Sequence, residues 1–311
     1  MRVGLALACA ALLGAAACGS PPLQDPRYRP TESVLEVVAA LRLHVEEDTY
    51  RRPPARDFTG KNIYRASFAR LENLEATYAS KLRSGYLQDV IWFGMARSAE
   101  RIEGYDLAAK LYARVAALES DLAKPAAAGQ RICERLRDAT GSTPAFDAAP
   151  QRALDVFSAR ANALEKLLDE TQGTHFAFVA REELEHTDFE RARYFAARRR
   201  LEPRLDTVAL QAHQDLVQNH PDSKNRNRNL LELARFYEEL ARDYVQTCAP
   251  VALCFDPATF DEFVFGAQRV YESVAQQDGA VEKIEAARRL EALIAFVLTV
   301  YEEKLPGGAR G

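Results

Sequence analysis

One pair of residues in the sequence has the Glu-x-x-His spacing of a metal-binding motif. Glu183 and His186 stand three positions apart, which would place a carboxylate and an imidazole on one face of a helix. Di-iron helical bundles need this pair twice, with further glutamates, and the sequence holds no second copy. We therefore expect Glu183, Glu185 and His186 to form a solvated helix face. Because HExxH, G-x-S-x-G and phosphate-binding glycine motifs are also missing, we predict no catalytic residue, no metal site and no cofactor.

Basic residues are concentrated in two neighbouring stretches. Cations near the end of a helix are favoured by its dipole, so a solvated surface explains much of this pattern. The alternative is a site for an anionic partner, such as an acidic protein, a phospholipid or lipopolysaccharide headgroup, or an anionic wall polymer. The candidate residues, called the basic patch below, are Arg193, Arg198, Arg199, Arg200, Arg204, Lys224, Arg226 and Arg228.

The cysteines fit an oxidising compartment. Cys248 and Cys254 flank five residues between two helical patterns, where a disulfide would close the intervening loop. Cys133 lies in an apolar helical pattern, which predicts a buried and inert thiol. The sequence holds no CxxC pair and no zinc-type grouping of Cys and His.

The first residues have the pattern of a signal peptide. Arg2 is followed by a short apolar stretch, Val3 to Ala17, and then by small residues and prolines. The stretch is shorter than the roughly 20 apolar residues that span a bilayer. We predict a signal peptide over residues 1–17.

The end of this segment resembles the lipobox of bacterial lipoproteins. Ala15-Ala16-Ala17-Cys18 has small residues before a cysteine, although the leucine usual at the first position is Ala15 here. The resemblance implies that Cys18 becomes the N-terminus and carries acyl chains such as palmitate, which attach the protein firmly to a membrane. Gly19 after the cysteine implies the outer membrane in enteric-type bacteria, with the inner membrane as the alternative.

The remaining chain divides at turn-rich segments. Residues 18–30 contain four prolines and are predicted to be the lipidated cysteine and an extended tether. Amphipathic helical patterns then fill an N-terminal half, 31–138, and a C-terminal half, 151–305, with no alternating strand pattern. Residues 139–150 contain Gly, Ser, Thr and Pro and are predicted to be a linker, and 306–311 a disordered tail. The predicted class is all-α.

Some helices resemble the tetratricopeptide repeat. The first set of anchor residues is Trp92, Met95, Ala96, Ala99, Ala108, Tyr112 and Val115, and Ala209 and Ala267 begin similar second halves. The turn at His220-Pro221-Asp222-Ser223 resembles those of periplasmic tetratricopeptide proteins, such as the lipoprotein subunit of the β-barrel assembly machine, in general layout only. The anchors are not spaced by multiples of about 34 residues. The resemblance implies an α-solenoid of antiparallel helical hairpins, and an irregular helical bundle is the alternative.

These features favour a non-enzymatic scaffold. A lipid-anchored, periplasm-facing helical body would bind envelope proteins or peptides, with Tyr105, Phe236 and Tyr237 as candidate contacts. Trp92 and Tyr112 are expected in the core. The alternatives are a ligand-binding or enzymatic lipoprotein acting on lipid or cell-wall material, and a structural spacer. A net charge of −4 gives no reason to expect nucleic acid as a partner, and the sequence carries no signal for an oligomeric state.

Overall fold

The computed structural model describes residues 29–46, 56, 58–83 and 87–304. The signal peptide, Cys18, nearly all of the tether and the C-terminal tail predicted from the sequence lie outside these residues. Within the described part of the chain there are eleven α-helices and no strand, apart from one isolated bridge between Arg56 and Asn62. The predicted all-α class is confirmed for these residues.

The helices are numbered here in chain order. The first five are α1 (Pro30–Glu46), α2 (Ile63–Arg83), α3 (Gln88–Arg101), α4 (Tyr105–Ala116) and α5 (Ala123–Thr140). The next six are α6 (Pro150–Glu170), α7 (His175–Arg198), α8 (Asp206–Asn219), α9 (Arg226–Thr247), α10 (Pro257–Ala275) and α11 (Lys283–Lys304). A short 3-10 turn, Pro203–Leu205, precedes α8.

The described part of the chain forms two compact units, divided between Arg137 and Asp138. The division falls within the last turn of α5, close to the linker predicted over residues 139–150. In the second unit, the segment between α5 and α6 is fixed to α7. Tyr194 donates its hydroxyl to the carbonyl of Ala145 at 3.0 Å, and Arg198 donates to the carbonyl of Phe146 at 2.6 Å. The predicted linker therefore has specific contacts within its own unit.

In the first unit, Tyr112 lies at the centre of the packing, as expected from its place in the apolar stripe. Its hydroxyl donates to the buried carboxylate of Glu100 at 2.9 Å. Gly129 of α5 lies so close to the ring of Tyr112 that a Cβ added there would stand about 3.0 Å from its atoms. Trp92 differs from its prediction. It is half-buried, its indole donates to Glu75 at 2.6 Å, and the guanidinium of Arg114 lies 3.8 Å from its ring centroid.

In the second unit, helices that follow one another in sequence make most of the contacts, from α6 with α7 through to α10 with α11. Small residues stand where helices approach closely. The predicted anchors Ala209 and Ala267 are fully buried. Each belongs to an apolar cluster, the first with Phe195 and Phe236, the second with Leu231 and Tyr271. The core of this unit therefore runs between consecutive helices rather than around one central element.

The solvated face predicted for α7 is wrong. Glu183 is only 2% exposed, and Arg160 of α6 lies 3.4 Å from its carboxylate. Glu185 accepts hydrogen bonds from Ser223, Asn225 and Asn229. The turn between α8 and α9 thus covers this side of α7, and its polar groups satisfy the carboxylates that the helix presents.

Asp188 extends the same polar contact one turn further along α7. It accepts hydrogen bonds from Asn219 and from the ring of His220, both at 3.1 Å. Burial alone would raise the pKa of Asp188, but these hydrogen bonds and the nearby Arg191 outweigh burial and hold the pKa below its ordinary value. The carboxylate therefore stays charged while it fixes the turn to the helix.

The loop between α9 and α10 is closed by a disulfide between Cys248 and Cys254. The hydroxyl of Tyr244 accepts a hydrogen bond from the backbone of Asp256 at 2.7 Å. Asp256 caps α10 by accepting from the backbone N–H groups of Ala258 and Thr259, with Pro257 at the first helical position. Cys133 is buried, and burial raises the pKa of its thiol, so it is held in the unreactive form.

None of the described helices combines the length and the apolar character that crossing a bilayer would require.

Candidate functional site

A groove of about 640 Å³ opens within the second unit. It is lined by faces of α7, α8, α9 and α11 and by Arg200, which follows α7 directly. Among the described residues around it, cationic side chains outnumber carboxylates. The charged lining residues are Arg193, Arg200, Arg235, Arg242, Arg289, Glu232, Glu238 and Glu239.

Helix periodicity explains why these residues meet. Along α9, the lining positions 232, 235, 239 and 242 recur in steps of three and four, which places them on one face. Along α7 and its end, Arg193, Ala197 and Arg200 recur in the same way, and the small Ala196 and Ala197 leave space between the helices. Two helix faces therefore line the groove with arginines.

The arginines on the α9 and α11 side are held by ion pairs. Glu238 lies 2.8 Å from Arg242 and 3.8 Å from Arg289, and it also accepts from the hydroxyl of Tyr271 at 2.8 Å. Burial and this carboxylate raise the pKa of Tyr271, so its proton stays in the hydrogen bond. Arg235 pairs with Glu232 at 2.7 Å and also with Glu285. This wall is thus a pre-ordered network.

The arginines on the α7 side are less constrained. Arg200 is 72% exposed, and its one carboxylate neighbour among the described residues, Glu239, is 3.8 Å away. Arg193 is exposed and lies 5.6 Å from the ring centroid of Phe189, with no carboxylate within ion-pair distance in the described part of the chain. These two guanidinium groups can therefore take an anionic ligand without breaking a strong internal pair.

The floor of the groove contains a buried histidine. The ring of His213 stacks on that of Phe236, with centroids 4.7 Å apart, and is 5% exposed. Burial lowers the pKa of His213 to about 4, so the imidazole is neutral near pH 7. Neither ring nitrogen has a hydrogen-bond partner among the described residues. Since an unsatisfied buried polar group costs about 1–3 kcal/mol, the ring offers a favourable contact to a ligand.

The basic patch predicted from the sequence does not form one free cationic surface. Of its eight residues, only Arg193 and Arg200 line the groove. Arg199 is buried and pairs with Asp206 and Asp243, each at 2.6 Å. Carboxylates from the neighbouring helices cover its guanidinium group. The sequence pattern of α7 alone does not show which arginines are covered in this way.

The remaining residues of the basic patch are distributed around the same region. Arg198 and Arg204 both pair with Glu202. Lys224 lies 2.9 Å from Glu182 of α7. Arg228 lies 5.0 Å from the ring centroid of Phe189, and Arg226 is exposed.

Of the three predicted aromatic contacts, only Phe236 lines the groove. Tyr105 and Phe236 are 4% and 3% exposed, because the apolar stripe that places an aromatic residue on a helix also turns it to the core. Tyr237 remains half-buried, and its hydroxyl accepts a hydrogen bond from Gln214 at 2.7 Å.

Four further residues line the groove but were not predicted from the sequence: Arg235, Arg242, Arg289 and His213. The charged stripe of α9 was a usable signal, since four of its positions share one face. The contribution of α8 and α11 was not readable, because it depends on tertiary packing. In the described part of the chain, no group of three or more His, Cys, Asp or Glu side chains is arranged to hold a metal ion, and Glu183 is paired with Arg160 instead.

No protein-family model matches this chain, and no curated protein is significantly similar to it. Its function is therefore argued from the groove and from the sequence features described above.

Proposed function

We propose that this chain is a lipid-anchored, periplasm-facing scaffold of the bacterial cell envelope, and that its groove binds an acidic segment of an envelope protein. The observation that carries the proposal is the groove itself, where arginines from two helix faces surround a buried histidine with unsatisfied nitrogens.

The anchor is supported by the sequence. Ala15 to Cys18 resembles a lipobox, and the following residues are rich in proline, as a tether would be. An anchor raises the local concentration of the body at the membrane, so that modest contacts suffice for association. The outer membrane is the proposed location, on the strength of Gly19.

A helical-hairpin solenoid is the architecture we propose for the body. It is supported by the contacts of α6 to α11, which are mostly between consecutive helices, and by the buried anchors Ala209 and Ala267. Solenoids of this kind bind extended segments along a face formed by successive helices, and here α7, α8, α9 and α11 share the groove.

Arginine chemistry favours carboxylates as the recognised groups. A guanidinium presents planar donors that match a carboxylate with two parallel hydrogen bonds. Arg193 and Arg200 are available on one wall, while Arg235 and Arg242 are already ordered on the other. A neutral His213 can add one donated or accepted hydrogen bond at the floor. An extended acidic peptide satisfies all of these groups at once.

The partner is identified by photo-crosslinking in cells. A photoreactive residue replaces Ala197, which lines the groove, and in a matched control it replaces Ala258, an exposed alanine outside the groove. We expect a protein adduct from position 197 that is absent from position 258 and is reduced when Cys18→Ala removes the acylation site. Equal adducts from both positions, or none from 197 in a folded protein, would refute the groove as the docking site.

The recognition chemistry is tested by charge reversal. Arg200→Glu should weaken binding of the crosslinked partner segment about fivefold, as expected for an exposed ion pair replaced by a repulsive one. The control is Arg152→Glu, an exposed arginine of α6 outside the groove. Cell fractionation of the Cys18→Ala variant tests the anchor separately, because loss from the membrane fraction does not depend on what the groove binds.

A further inference from the structure

A second cavity, of about 400 Å³, lies entirely within the first unit. It is bounded by α1, α2 and α3 and by Leu122. Its walls are almost wholly apolar, and the contributing side chains include Val38, Leu41, Tyr64, Val90, Phe93 and Leu122. This volume falls in the range of about 300–1,000 Å³ that small-molecule sites occupy.

Arginines stand at one end of this apolar lining. Along α3, positions 90, 93, 94, 97 and 101 share one face, which changes from Val90 and Phe93 to Arg97 and Arg101. Along α1 the order is the same, with Val38 and Leu41 followed by Arg42. No acidic side chain is among the described residues that line the cavity. From position 90 to position 101, α3 rises roughly 16 Å.

The three arginines differ in their environment. Arg42 is exposed and Arg97 is half-buried. Arg101 is 1% exposed, lies 3.9 Å from Glu100, and has its guanidinium 5.8 Å from the ring centroid of Tyr64.

We propose that this cavity binds the single acyl chain of a long-chain carboxylate, with the chain among the apolar residues and the carboxylate at the arginines. The apolar walls select the chain, and the volume suits one chain rather than the two of a diacyl lipid. The arginines select a carboxylate over a neutral lipid of the same length. This site is separate from the proposed protein-binding groove, and its occupancy is tested independently.

The experiment is a titration of the purified full-length chain with laurate, myristate and palmitate. Binding is followed by isothermal titration calorimetry, because Trp92 does not line the cavity. We expect affinity to rise about 15-fold for each two methylenes added, from the burial of apolar surface. The neutral alcohol of the same length as myristate should bind at least threefold more weakly.

Variants separate the two parts of the site. Arg42→Gln should weaken myristate about threefold while leaving the neutral alcohol unchanged, and Arg65→Gln, an exposed arginine outside the cavity, should change neither. Val90→Phe should reduce the binding of both by filling the apolar part, provided that thermal unfolding shows the variant to be folded.

Three outcomes would overturn the proposal: no saturable binding by any of the three carboxylates, affinity that is independent of chain length, or equal binding of the acid and the alcohol. Self-association of the chain that Val90→Phe abolishes would also overturn it, since the cavity would then be a contact between copies. The chain-length series and Arg42→Gln remain decisive if Val90→Phe does not fold.

Discussion

His213 predicts a specific dependence of stability on pH. Its pKa in the folded protein is about 4, below the ordinary value of 6.5, because burial disfavours the charged imidazolium. Between these two pH values the unfolded chain binds a proton that the folded chain does not. The contribution of the neutral His213 to the free energy of unfolding is therefore fully present above pH 6.5 and is lost as the pH decreases towards 4. The difference between the two pKa values corresponds to about 3 kcal/mol of unfolding free energy.

The variant His213→Phe removes this titration and preserves an aromatic ring against Phe236. From about pH 7.5 to about pH 5, the wild-type chain should lose roughly 2 kcal/mol of unfolding free energy that the variant does not lose. At neutral pH the variant should be at least as stable as the wild type, because both nitrogens of His213 lack partners among the described residues.

The assay is urea denaturation at a series of pH values, followed by far-UV circular dichroism. The fluorescence of Trp92 is not suitable, since this residue belongs to the first unit. The control is His186→Gln, which removes a histidine of the same unit that lies outside the groove, 3.5 Å from Glu190 and 4.0 Å from Glu183. If folded His213→Phe keeps the wild-type slope between pH 6.5 and 4, the assignment of this dependence to His213 is refuted.

Three further changes test the packing. Arg160→Met should lower the free energy of unfolding in urea by about 3–5 kcal/mol, because it removes the cation beside the buried Glu183. Adding Glu183→Gln to this variant should recover most of the loss. If the costs of the two substitutions simply add, the two residues are not a coupled pair. Gly129→Ala should lower the free energy of unfolding by about 1–3 kcal/mol, because its Cβ would press against the ring of Tyr112. An unchanged melting temperature would show that the ring moves aside without cost. Cys248→Ser should lower the free energy of unfolding by about 2 kcal/mol, because it removes the disulfide that closes this loop. Reduction of the disulfide in the wild-type chain should produce the same loss.

The sequence predicted helices well because the apolar stripe that defines a helix also decides which face is buried. Ala209, Ala267 and Tyr112 were identified from this stripe and are buried. The same reasoning explains why Tyr105 and Phe236 are largely buried. Both were chosen as partner contacts for their aromatic character, yet both stand in apolar stripes, and burial is the usual result for a large ring in that position.

Polar contacts between distant segments were not predictable in the same way. Glu185 was taken as solvent-facing, but its partners Asn225 and Asn229 lie 40 and 44 residues later in the chain. Arg199 was taken as part of an exposed patch, but Asp243 of α9 covers it. A helical pattern identifies polar positions without showing which of them another helix will cover, so the candidate site needed the tertiary structure.

The groove is cationic even though the chain carries a net charge of −4. The sequence of α7 explains how this is achieved. Its middle carries Glu182, Glu183, Glu185 and Asp188, whose carboxylates are held by α6 and by the turn before α9. Its second half carries Arg193 and is followed directly by Arg200, both at the groove. The helix dipole favours a cation in the last turn, where Arg198 lies.

A ligand responds to this local field rather than to the net charge. Binding to the groove should therefore weaken as ionic strength rises, because the available arginines of its α7 wall are largely exposed to solvent. The cavity of the first unit differs, since its lining is mostly apolar. Raising the salt concentration should release an acidic segment from the groove while a long-chain carboxylate stays bound. If both ligands respond equally to salt, the distinction drawn between the two sites is wrong.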